Sequence, residues 1–91
     1  MEEKDQQNKH KNWCITVNET EDCPLPTYDQ MVKLFESNAL LYLFQKEKGE
    51  VTGRPHYQCV VKFKLRKRKS TILNILKVNG FKLHQFLCLF C

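Results

Sequence analysis

In the stretch Gly53 to Lys64, GRPHYQCVVKFK, an imidazole and a carboxamide stand two positions apart, His56 and Gln58. The surrounding residues alternate apolar and polar as a half-buried strand does, so both side chains share one face, about 7 Å apart at the backbone. An imidazole nitrogen and a carboxamide oxygen so placed can share an ion, and a hard cation such as Mg²⁺ or Mn²⁺ would require a carboxylate as well. Glu47 is the natural source. It falls at the end of the preceding strand pattern, and an antiparallel hairpin through KGEVTGRP returns His56 to its side, while Glu50 could reach from the loop. Without an ion, the same residues are a polar pair on an exposed strand face beside one of many solvated acids. Spacing alone leaves both readings open.

These side chains need a sheet to hold them. WCITVN puts Trp13, Ile15 and Val17 on one side of a strand and Cys14, Thr16 and Asn18 on the other. ETEDCPLP, with two prolines, ends that strand, and Thr27 is placed to cap a helix carrying Met31, Val32, Leu34 and Phe35 on one face, with Asp29 in its first turn. A second strand is expected from about Leu40 to Glu47, and PHYQCVVKFKL is a third, with Tyr57, Cys59, Val61 and Phe63 toward the core. Ile72, Leu73, Ile75 and Leu76 form the apolar face of a short helix that Ser70 could cap and that Asn79 and Gly80 would end. FKLHQFLCLFC begins as a fourth strand. The order strand, helix, strand, strand, helix, strand predicts an α+β, ferredoxin-like split βαβ fold: an antiparallel sheet with two helices on one face, the other left for a ligand. Residues 1–11 read as a flexible N-terminal arm and residues 12–91 as one domain.

Composition narrows the partners only a little. Fifteen Lys and Arg against ten Asp and Glu give a charge of +5, which favours a polyanion but is common in other soluble domains. The polar, charged N-terminus does not resemble a signal peptide, and no apolar run approaches the ~18 residues that would span a bilayer, so an intracellular chain with no membrane partner is expected. Its five cysteines should then be reduced thiols. Only Cys88 and Cys91 are spaced as a pair of zinc ligands, whereas Cys14 and Cys59 sit in strand patterns as small buried hydrophobes.

WCITVN, then YLFQKEKGEVTGRPHYQCVVKFK, then RKRKSTILNIL together resemble the start of the replication initiator protein, Rep, of small circular single-stranded DNA viruses of the circovirus and nanovirus kind, which are HUH endonucleases. The likeness covers residues 11–77. WCITVN matches an aromatic strand ending in Asn, and PHYQ matches the His-x-Gln form of the metal motif. The resemblance implies a Mg²⁺ or Mn²⁺ ion held by Glu47, His56 and Gln58, with Asn18 tied to DNA contact. In such proteins the ion polarises a scissile phosphate at the replication origin, and a tyrosine of a later Tyr-x-x-Lys motif attacks it. A 5′-phosphotyrosyl link and a free 3′-hydroxyl result, which start rolling-circle replication in the host nucleus; the reverse reaction rejoins the strand.

This chain departs from that pattern at the nucleophile. Tyr28, Tyr42 and Tyr57 are followed three positions on by Met31, Gln45 and Val60, so none begins a Tyr-x-x-Lys. Where the tyrosine helix would follow, the sequence gives FLCLFC. The expectation is a truncated Rep domain, a fragment that binds metal and single-stranded origin DNA without nicking, with any oligomerisation left to a missing C-terminal region.

The basic run KFKLRKRKS supplies Lys62, Lys64, Arg66, Lys67, Arg68 and Lys69 as DNA-binding candidates beside the open face. The same run would also serve as a nuclear-import signal or a solvated turn. A different class of function is a non-catalytic ferredoxin-like nucleic-acid-binding module that stacks bases on sheet aromatics, but Tyr57 and Phe63 share the face of Cys59 and Val61 and read as core. Cys59 as a nucleophile has no activating histidine or helix N-terminus in the pattern.

Overall fold

A computed structural model describes residues 9–48 and 53–90. Strand β1 (His10–Asn18) leads to helix α1 (Tyr28–Asn38), then to strands β2 (Ala39–Lys48) and β3 (Pro55–Lys67), helix α2 (Lys69–Val78), a 3-10 turn (Leu83–Gln85) and strand β4 (Phe86–Phe90). The strands form one antiparallel sheet in the order β2-β3-β1-β4, with β1 and β3 central. This α+β arrangement fits the split βαβ plan expected from the element order.

Alternation decides which face is core. Trp13, Ile15 and Val17 of β1, Tyr57, Cys59, Val61 and Phe63 of β3 and Cys88 of β4 are buried, and they join Met31, Leu34 and Phe35 of α1 with Ile72 and Leu76 of α2 in one apolar cluster. Both helices therefore cover the same side of the sheet, and the residues between the buried ones face away from them.

The helix ends follow local chemistry. Thr27 closes a capping box with Gln30: its hydroxyl accepts from the Gln30 N–H, and its own N–H donates to the Gln30 side chain at 2.7 Å. α2 ends in a Schellman motif, with the Gly80 N–H on the Lys77 carbonyl and the Phe81 N–H on that of Leu76. Gly80 has φ +85°, a conformation for which a residue without a Cβ is suited.

Several boundaries differ from the sequence reading. Arg68, not Ser70, is the N-cap of α2, because its carbonyl already accepts from Thr71 and Ile72; Ser70 lies inside the first turn. The fourth strand starts at Phe86 rather than near Phe81, since Gln85 is buried and its side-chain amide donates to the carbonyls of Asn18, Cys23 and Pro24, holding a turn there. At the other end β1 reaches back to His10, inside the expected arm. His10 pairs with Lys67, its ring stacks on Phe90 with centroids 4.0 Å apart, and its carbonyl accepts the Trp13 indole N–H.

The cysteines also divide differently. Cys59 and Cys88 are buried free thiols and Cys23 is free and half-buried, but Cys14 is disulfide-bonded. Its strand position turns it to the face away from the helices, outside the core that its place in the strand pattern suggests.

Candidate metal and nucleic-acid site

Residues directly opposite in an antiparallel ladder share a face, so the register lays out the open side of the sheet row by row. Glu47 of β2 lies opposite His56 of β3, which lies opposite Asn18 of β1. The next row is Gln45, Gln58, Thr16 and Leu87, and beyond it come Leu43, Val60, Cys14 and Leu89, then Leu41, Lys62 and Asn12. One end of the face is polar and rich in ligand atoms. Its middle is aliphatic, with Leu41, Leu43, Val60, Leu87 and Leu89 all exposed.

At the polar end His56 Nε2 stands 3.1 Å from Glu47 Oε1, the imidazole about one-fifth exposed and the carboxylate more so. The Gln45 carboxamide donates to the other Glu47 oxygen. That donor, and then His56, hold the Glu47 carboxyl below the usual carboxylate range, so it is ionised at neutral pH. Thr16 donates its hydroxyl to Gln58 Oε1 at 3.1 Å, which orients the carboxamide and leaves the oxygen its second lone pair. No sequence signal singles out Thr16 and Gln45. Only the cross-strand register makes them neighbours of the candidate ligands.

The donor set suits a hard divalent cation. Adjacent ligands of an octahedral ion, each about 2.1 Å from the metal, lie about 3 Å apart, which is the separation His56 and Glu47 already have. A carboxylate, an imidazole and an amide oxygen are also the ligand types that Mg²⁺ or Mn²⁺ accepts. The same 3.1 Å is equally the length of a plain hydrogen bond between the two side chains. Asn18 completes the row on the β1 side, exposed, while its carbonyl is held by the Gln85 amide. Glu50, the alternative carboxylate, lies outside the described residues.

The basic run is not brought beside this group. Lys62 is six positions along β3 from His56, about 20 Å, and Lys67 eleven positions, about 36 Å, so the positive charge gathers at the far end of the strand. Lys62, Lys64 and Arg66 are exposed, Lys67 is half-buried in its pairing with His10, Arg68 is half-buried at the helix cap, and Lys69 is exposed as the first residue of α2. The aliphatic rows separate the two ends.

The tyrosines and thiols fall elsewhere. The Tyr57 hydroxyl is buried and donates to the Pro26 carbonyl, Tyr42 donates to Glu36, and Tyr28 projects from α1 against Phe44. None of the three lies in the rows that hold His56. Burial pushes the Cys59 thiol up to about 12, against any nucleophilic role. Of the pair considered for zinc, Cys88 is buried in the core, with its thiol pushed by burial up to about 11, and Cys91 lies outside the described residues.

Neither a protein-family model nor a curated protein matches the chain. The fold thus defines an architectural class, a four-stranded antiparallel sheet with two helices on one side, and the functional reading rests on the residues of its open face.

Proposed function

We propose that the chain carries the metal- and DNA-binding part of a Rep-like HUH nuclease domain: it holds Mg²⁺ or Mn²⁺ through Glu47, His56 and Gln58 and takes single-stranded origin DNA across the open face, in the host nucleus, while Tyr28, Tyr42 and Tyr57 all lie away from these ligands. The observation that carries this reading is the meeting of Glu47 and His56 at 3.1 Å across two strands, with Gln58 one row along the same face. When bound, the ion would supply Lewis-acid polarisation of a phosphate oxygen. The residues of the chain do the rest: Thr16 and Gln45 fix the ligand side chains, Asn18 offers a polar group at the strand end, and Lys62 and Lys64 offer charge to the backbone of the strand.

A Mn²⁺ titration by calorimetry on the full chain tests the metal half. Saturable binding is expected in the wild type and none in His56→Ala, with an unchanged far-ultraviolet circular dichroism spectrum; equal affinity in the two would remove His56 from the site. For the DNA half, Lys62→Ala with Lys64→Ala should lower the salt slope of single-stranded DNA binding by about 1.4, at roughly 0.7 for each phosphate that a lysine no longer neutralises. An unchanged slope would place the DNA elsewhere.

The remoteness of the basic end from Glu47 and His56 favours a second reading, a nucleic-acid-binding module that uses no metal. The open rows set against it an aliphatic middle where such modules place stacking aromatics.

A further inference from the structure

On the opposite side of β1 from β3, two distant parts of the chain meet. Asp22 and Cys23 come from the loop after β1, and His84 from the 3-10 turn before β4. A carboxylate oxygen, the sulfur and an imidazole nitrogen of these three lie within 4.8 Å of one another, with His84 Nε2 3.8 Å from Asp22 Oδ1. Ligands about 2.0–2.3 Å from a tetrahedral Zn²⁺ are separated by roughly 3.5 Å, so only small side-chain adjustments would close the group around an ion.

The backbone beneath the group is held from both sides. Thr20 and Cys23 exchange two backbone hydrogen bonds, at 2.9 and 3.3 Å, and the Thr20 hydroxyl donates to Asp22 Oδ1 at 2.8 Å. Gln85, next to His84 and buried, donates to the carbonyls of Cys23 at 3.3 Å and Pro24 at 2.9 Å. The buried amide therefore fixes the separation of the two segments that carry the ligands, as partners behind the ligands do in metal sites.

We infer that Asp22, Cys23 and His84 form a site for Zn²⁺ or a similar borderline-soft ion, with one coordination position left to water, which ties the loop after β1 to the turn before β4. A thiolate, an imidazole and a carboxylate select such an ion over Mg²⁺, so this site differs in chemistry as well as place from the hard-ligand group at Glu47. Binding releases the Cys23 thiol proton to solvent as the sulfur–metal bond forms. The inference does not depend on the function proposed for the open face.

Cobalt(II) is the probe, because a sulfur ligand gives it a near-ultraviolet charge-transfer band that oxygen and nitrogen ligands do not. Titration of the full chain without thiol reductant should give that band, with saturation at one equivalent once His56→Ala has removed the open-face site, and Zn²⁺ should displace it. The band should vanish in Cys23→Ser, weaken in His84→Ala and persist in His56→Ala. With the open-face site removed, Zn²⁺ should raise the thermal midpoint of His56→Ala and leave that of His56→Ala combined with Cys23→Ser unmoved; as Cys23 is half-buried and outside the core, the Cys23 substitution is expected to leave the fold intact. Absence of the band, or its survival in Cys23→Ser, would overturn the site.

Discussion

Trp13→Ala is expected to cost about 3–5 kcal/mol of folding stability. The indole is 2% exposed, sits edge-on to Phe90, and donates its N–H to the His10 carbonyl at 2.9 Å. Truncation therefore opens a large cavity and leaves His10, the first residue of β1, without the hydrogen bond that folds it back onto the sheet. A domain of this size has about 5–15 kcal/mol in all, so the loss is a large fraction of the whole. Urea unfolding should show it as a lower midpoint with the slope retained, and Trp13→Phe, which keeps most of the apolar volume, should lose markedly less. A midpoint within error of the wild type would mean that Trp13 does not fill the core.

The second large effect concerns Glu47. Glu47→Gln keeps the size of the side chain and one acceptor oxygen, turns the other into an NH2 donor and removes the negative charge, so it tests the charge a hard cation requires with little change in shape. Losing a partner behind a metal ligand typically costs 10–100-fold in affinity, and losing the one charged ligand of a hard cation should cost at least about 100-fold. Titration followed by the electron paramagnetic resonance signal of free Mn²⁺ should show this loss. Stability should barely move, since the pair is partly exposed and exposed ion pairs contribute little. Mn²⁺ affinity equal to that of the wild type would leave Glu47 and His56 as a hydrogen-bonded surface pair.

Much of this sheet is legible in the residue order because its two sides differ so plainly. Trp13, Ile15 and Val17 against Cys14, Thr16 and Asn18, and Tyr57 through Phe63 against His56 through Lys62, read the inner and outer faces directly from a period of two. The hairpin between β2 and β3 follows from the glycines and proline in KGEVTGRP, and with it comes the pairing of Glu47 with His56. Other features depend on residues far apart in sequence. Gln85 looks like an ordinary polar residue in a strand pattern, and only its reach to three carbonyls, at Asn18 and in the loop after β1, explains why the turn there delays β4. Asp22 and Cys23 stand about sixty residues from His84, with no local spacing to announce them. The separation of the basic run from His56 is similarly hidden: His56 and Lys62 through Lys67 lie on one strand, and it is the length of β3, thirteen residues, that puts the two groups at opposite ends.

That separation also shapes the decisive measurement. The anisotropy of a labelled single-stranded oligonucleotide, titrated with the full chain at fixed ionic strength with and without Mn²⁺, reads metal and DNA binding together. If the ion at Glu47, His56 and Gln58 faces a phosphate of the bound strand, Mn²⁺ should tighten binding several-fold in the wild type, and His56→Ala should bind equally with and without it. Identical curves for the wild type in both conditions would contradict the account and leave the basic end of the sheet to act as a metal-independent nucleic-acid surface.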